Sequence, residues 1–121
     1  MSLEFEGEYK DGKRNGKGKE YDIFTKKLKF EGEFLNGIKI GKGKEYDKYK
    51  GYLTFEGEYK DGERNGKGKK FGSNGQIIFE GEFWHGQKEG KGKEFGDNGK
   101  VIFEGEYNIM KDIMINEKVF K

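Results

Sequence analysis

Cysteine is missing from this chain, which excludes disulfide staples and thiolate metal sites and fits a cytoplasmic protein. Histidine occurs once, as His85, so a metal or acid–base centre has no second imidazole or thiol to build on. No apolar run approaches the roughly 18 residues of a membrane span, and no signal-peptide core follows Met1. An excess of charge of one sign is lacking too. Lys and Arg number 25 against 23 Asp and Glu, a net charge of +2, which gives little long-range attraction for nucleic acid or acidic lipid. Only 31% of the residues are hydrophobic, which argues against a central aliphatic core of ordinary depth.

What the chain does have is 16% aromatic residues, 40% charged residues and 22 glycines. So many rings are out of place in a solvated coil. Their placement is periodic: FEGE begins at Phe5, Phe30, Phe55, Phe79 and Phe103, spaced by 25, 25, 24 and 24 residues. One repeat domain over 1–121 results, with full units 5–29, 30–54, 55–78 and 79–102 and a partial unit 103–121. Each full unit continues with an aromatic (Tyr9, Phe34, Tyr59, Phe83), a glycine (Gly12, Gly37, Gly62, Gly86) and a GKGK stretch from Gly16, Gly41, Gly66 or Gly90. A second aromatic closes it (Tyr21, Tyr46, Phe71, Phe95).

Leu3, Phe5, Gly7 and Tyr9 alternate with Glu4, Glu6, Glu8 and Lys10, the period of a β-strand. Asp11-Gly12 and Asn15-Gly16 mark a turn, and a second short strand runs through Gly18 to Tyr21. Each unit therefore reads as a hairpin. Chained hairpins predict an all-β fold: an elongated single-layer antiparallel meander of about 9–10 strands. The glycines inside the strands are expected to seat rings over bare backbone, with Tyr9 facing Gly16 and Gly7 facing Gly18. Glu6 then meets Lys19, and Glu8 meets Lys17, on the opposite face. A register shifted by one residue, with Phe5 against Tyr21, is the alternative.

The string Y/F-E-G-E-Y/F-x-x-G-K-x-x-G-x-G resembles the MORN (membrane occupation and recognition nexus) repeat, and FEGEYKDGERNGKG, from Phe55 to Gly68, carries its fixed elements except the lysine, where Glu63 stands. The resemblance runs from about Phe5 to Tyr107. It implies a twisted single-layer sheet shaped like a trough that serves as a scaffold or binding module, with no catalysis assigned to the repeats. Similar repeats occur in junctophilins, plant phosphatidylinositol phosphate kinases, a histone lysine methyltransferase and protist cytoskeletal scaffolds. Tyr or Phe stands here where the family often has Trp, and the units are one or two residues longer than the usual 23.

Catalytic and nucleotide-binding patterns do not survive inspection. GKRNGKG lacks the four-residue gap and the Ser or Thr of a phosphate-binding loop, and each glutamate recurs beside lysine at the repeat period, as a solvated ladder would. The expectation is a non-enzymatic module with no metal and no cofactor, whose partner is a protein or peptide. The ring-lined face offers Tyr9, Phe34, Tyr59, Phe83 and Tyr107. Departures from the repeat add Leu35, Ile38, Ile40 and Trp84 at the turns, residue types common at interfaces. Binding to an anionic lipid surface through Lys13, Arg14, Lys39, Arg64 and Lys88 is the alternative, weakened by the scatter of these cations. Nucleic acid is disfavoured by the interleaved glutamates. In the last unit Met110, Met114 and Asn116 stand where three glycines are due. The apolar Ile109, Met110, Ile113, Met114 and Ile115 predict either a cap folded on unit four or an end-to-end contact in a homodimer.

Overall fold

The computed structural model describes residues 4–108 and, through their backbone, 113–119. Ten strands follow one another: β1 (Phe5–Lys10), β2 (Lys13–Tyr21), β3 (Leu28–Leu35), β4 (Ile38–Tyr46), β5 (Leu53–Lys60), β6 (Glu63–Phe71), β7 (Ile77–Trp84), β8 (Gln87–Phe95), β9 (Val101–Asn108) and β10 (Ile113–Val119). They form one sheet in sequence order, with antiparallel pairing from the first hairpin to the last. At about 4.8 Å per strand the sheet extends roughly 40 Å across its strands. The predicted meander is the fold. The partial unit completes its hairpin as β10 on β9, which places Ile113, Met114 and Ile115 in a strand; Ile109 and Met110 lie outside the described residues.

The first four hairpins each close on a two-residue turn in which both residues have positive φ. The pairs are Asp11-Gly12, Asn36-Gly37, Asp61-Gly62 and His85-Gly86. This turn matches the right-handed twist of the flanking strands, and it sets Tyr9 opposite Arg14. The expected pairing of Tyr9 with Gly16 is therefore corrected. A bulge at Gly16, with φ +95°, then advances β2 by two residues, so that Gly7 faces Gly18 and Glu6 faces Lys19 as expected. Because the slip is two residues, side chains keep their faces. The one-residue alternative is excluded. Gly16 pairs instead with Phe34 of the next unit, and the Glu8 carboxylate accepts a hydrogen bond from the Lys17 backbone N–H at 2.9 Å.

The ring seats are the glycines of the paired Gly-Gly step. A β-carbon added to Gly68 would come within 2.7 Å of the Phe55 ring, and the same holds for Gly43 under Phe30. On this face the rings form a continuous edge-to-face chain. It runs Tyr9, Phe5, Phe34, Phe30, Tyr59, Phe55, Phe83, Phe79, Tyr107, Phe103, with centroids 5.2 to 6.1 Å apart. Phe30, Phe55 and Phe79 are fully buried. Each is pressed between glycine backbone below and a cation above: Lys39 lies 4.2 Å from the Phe30 centroid, Arg64 4.1 Å from Phe55 and Lys88 4.3 Å from Phe79. A buried ring contributes about 2 kcal/mol, and each edge-to-face contact roughly a further 1 kcal/mol. One layer thus builds a core without a second sheet.

Candidate partner-binding surfaces

The packed rings decide which of the expected contact residues a partner can reach. Phe34, Tyr59 and Phe83 are 2%, 6% and 4% exposed, so the middle of the ring face is core rather than an open platform. Tyr9, in the first strand, is 59% exposed, because among the described residues β1 has a neighbour on one side only. Tyr107 and Ile40 are half-buried.

Above the rings lies a lattice of ion pairs that sequence reasoning did not single out. Glu20, Glu45 and Glu94 occupy equivalent positions after GKGK. Glu45 accepts hydrogen bonds from Arg64 Nε and Nη2 at 2.8 and 2.9 Å, and from the Tyr59 hydroxyl. Burial works to raise the Glu45 carboxyl, but the bonds from Arg64 and Tyr59 outweigh it and hold the group below the usual carboxylate range. Burial and the Glu45 carboxylate together push the Tyr59 hydroxyl well above its ordinary value. Glu94 takes the Tyr107 hydroxyl in the same way. Glu20, for which Phe34 stands in the place of Tyr59 and offers no hydroxyl, pairs with Arg14 at 2.7 Å and with Lys39 at 3.4 Å. The readable signal was the acidic residue recurring one place before the closing aromatic, broken only by Lys70.

The opposite face is a groove of about 1570 Å³. Its main row alternates in sign across the sheet: Glu6, Lys19, Glu31, Lys44, Glu56, Lys69, Glu80, Lys93, Glu104. Lys44–Glu56, Lys69–Glu80 and Lys93–Glu104 approach to 3.6, 3.8 and 3.9 Å. Such half-exposed pairs are individually weak. The closing tyrosines belong here too, Tyr21 and Tyr46 donating to Glu6 and Glu31.

A third surface is the edge where the tight turns stack. The N–H groups of Gly37, Gly62 and Gly86 donate to the carbonyls of Arg14, Lys39 and Arg64 in the preceding unit, fixing each turn on its neighbour. Leu35 and Ile38 face each other beside the second turn, and Trp84 flanks the fourth, its ring 4.1 Å from that of His85. Leu35, Ile38 and Trp84 are 50%, 47% and 50% exposed. On the far edge Phe24 and Tyr49 also project into solvent, residues the repeat pattern did not point to because they fall in the connections between units.

Among the described residues there is no cluster of His, Asp and Glu suited to a metal, and no helix long and apolar enough to cross a membrane. No curated protein matches the chain. The family model described as the MORN repeat matches residues 5–22, 30–48, 55–77 and 79–101, four of the five units set out above. MORN repeats are a non-catalytic family of membrane, lipid or protein-interaction modules. With its repeated hairpins, ring seats and four matched units, the chain belongs to the MORN repeat family.

Proposed function

We propose that the chain is a non-enzymatic protein-binding module that holds its partner along the turn edge. The observation that carries this reading is the half-exposed set Leu35, Ile38 and Trp84 at the turns, beside a ring face whose middle is core. Two of these replace the lysines found at the same place in units one and three, Lys10 and Lys60. The hairpin does not need an apolar residue there, so the substitution is free to serve a contact. Lipid binding has less behind it: Arg14, Lys39, Arg64 and Lys88 all sit over rings and beside carboxylates, which leaves them poorly disposed towards a membrane.

The test compares capture of proteins from the native source by the intact chain and by a Leu35→Ser, Trp84→Ala variant whose circular dichroism is unchanged. Loss of a partner from the variant supports the turn edge. Flotation of both proteins with phosphatidylserine vesicles, with unchanged protein capture, would replace this reading with a membrane one.

A further inference from the structure

The ion-pair lattice on the ring face follows a rule with two exceptions, and the second of them points to a ligand. Where the preceding unit supplies a carboxylate, the ring-capping cation reaches back to it: Lys39 to Glu20 at 3.4 Å and Arg64 to Glu45 at 2.8 Å. Arg14 has no preceding unit among the described residues, and pairs with Glu20 of its own unit. Lys88 does have a preceding unit, but there Lys70 stands where the others carry glutamate. Lys88 turns to Glu94 of its own unit instead, at 3.9 Å.

The position left behind is defined by its neighbours. In the ladder Lys70 pairs with Phe55 on one side and Phe79 on the other. These are the rings capped by Arg64 and Lys88. The next ring is Phe83, where Glu45 and Glu94 each meet a tyrosine hydroxyl; it has no oxygen to offer the ammonium. Lys70 is half-buried and, among the described residues, makes no side-chain hydrogen bond or ion pair. Burial, then Lys88 and then Arg64 depress its pKa, with Glu45 and Glu94 opposing. Three cations thus meet two carboxylates, and each carboxylate already has a partner of its own. One positive charge is uncompensated.

We propose that this gap between units three and four binds a single carboxylate, presented by an Asp or Glu side chain of an acidic peptide. A carboxylate is the group the repeat itself places at this point in its other three units, and a monoanion matches the one charge left over. The flanking phenylalanine rings keep the site partly dry, which strengthens the interaction. The acidic-peptide assignment rests on the reading of the chain as a protein-binding module. The site itself does not involve the turn edge, so the two can fail separately.

The experiment follows backbone amide shifts of the full chain by NMR during titration with acetyl-Gly-Glu-Gly-amide, and separately with inorganic phosphate, at constant ionic strength. Saturable shifts confined to Lys70, Phe83, Lys88 and their strand neighbours are expected, with affinity reduced at least about tenfold in Lys70→Glu. Lys70→Met, which removes the charge without adding a carboxylate, is expected to lose binding equally and guards against a folding artefact. In the absence of peptide, Lys70→Glu combined with Phe83→Tyr should raise the melting temperature by rebuilding the arrangement of Glu45 and Tyr59. Shifts spread over all exposed lysines, or binding retained in Lys70→Met, would overturn the site. Phosphate binding more than about tenfold tighter than the peptide would overturn the carboxylate assignment.

Discussion

Arg64 grips Glu45 through two nitrogens, at 2.8 and 2.9 Å, across the boundary between two repeat units. The same guanidinium lies 4.1 Å from the centre of the Phe55 ring. One side chain therefore joins neighbouring units, covers the most deeply buried ring and neutralises a partly buried carboxylate. In a single-layer sheet this contact does the work that a second layer does elsewhere, because it keeps water from the rings without a packed partner surface.

Arg64→Met is accordingly expected to lower stability by about 2 kcal/mol, since it leaves Glu45 partly buried and short of its cation. Lys44→Met is the control. Its pair with Glu56 is 3.6 Å long and nearly half exposed on both sides, so its loss should cost less than about 0.5 kcal/mol. Chemical denaturation of both variants at neutral pH makes the comparison, and equal losses would remove the lattice from the stability of the fold.

Acid should dissolve this lattice in a defined window. The Glu45 carboxyl is held below its ordinary value of about 4.5, so its stabilising contribution is fully present above that value and is lost as the pH falls through the lower, folded-state value. Glu45→Gln removes that dependence. The variant should be less stable than the parent by about 1 kcal/mol at pH 7, and the gap should close as the pH falls through the folded-state value. Denaturation curves measured from pH 7 to pH 2 decide it, and a gap independent of pH would rule out the charged form as the stabilising one.

Two glycines two residues apart should fail for different reasons. Gly68→Ala drives a methyl group to within 2.7 Å of the Phe55 ring, an overpacking expected to cost about 1–3 kcal/mol. Gly66→Ala puts a side chain on backbone with φ +106° and against the Glu58 carboxylate, a conformational strain of similar size. Adding Phe55→Leu should recover part of the first loss and none of the second. A double-mutant cycle on thermal unfolding separates them, and rescue of both would mean that Gly66 is a ring seat after all.

Removing one hydroxyl should matter only where it is held. Tyr59→Phe deletes the donor to Glu45 and should cost about 1 kcal/mol. Tyr9→Phe, at the open side of β1, should be close to neutral. Melting temperatures of the two variants test the contrast, and a loss at Tyr9 as large as that at Tyr59 would mean that its hydroxyl has a partner.

Much of this architecture was legible in the residues. The period of two, the Asp-Gly and Asn-Gly steps and the recurrence of FEGE specify hairpins in chain order, because strand alternation and turn chemistry are local properties that a few neighbouring residues determine. The Gly7–Gly18 and Glu6–Lys19 pairings followed from the same alternation. Pairing near the turn did not. A two-residue turn and a glycine bulge share the slack between them, and only the folded backbone, with Gly16 at φ +95°, shows where the extra residues go.

The sequence by itself determined that the chain is a repeated antiparallel sheet with rings on one face and balanced charge on the other, since these depend on spacing along a single strand. The tertiary structure decided which rings remain available. Phe34, Tyr59 and Phe83 look like contact residues in isolation, yet each is packed edge to face between rings of its own and the preceding unit. It also decided that Glu45 serves Arg64 of the following unit, and that Lys70, where the sequence breaks that series, lies near Lys88 of the next. Those relations join residues 19 and 18 positions apart, Glu45 to Arg64 and Lys70 to Lys88. Stacking one hairpin on the next creates them, and no local pattern within a unit contains them.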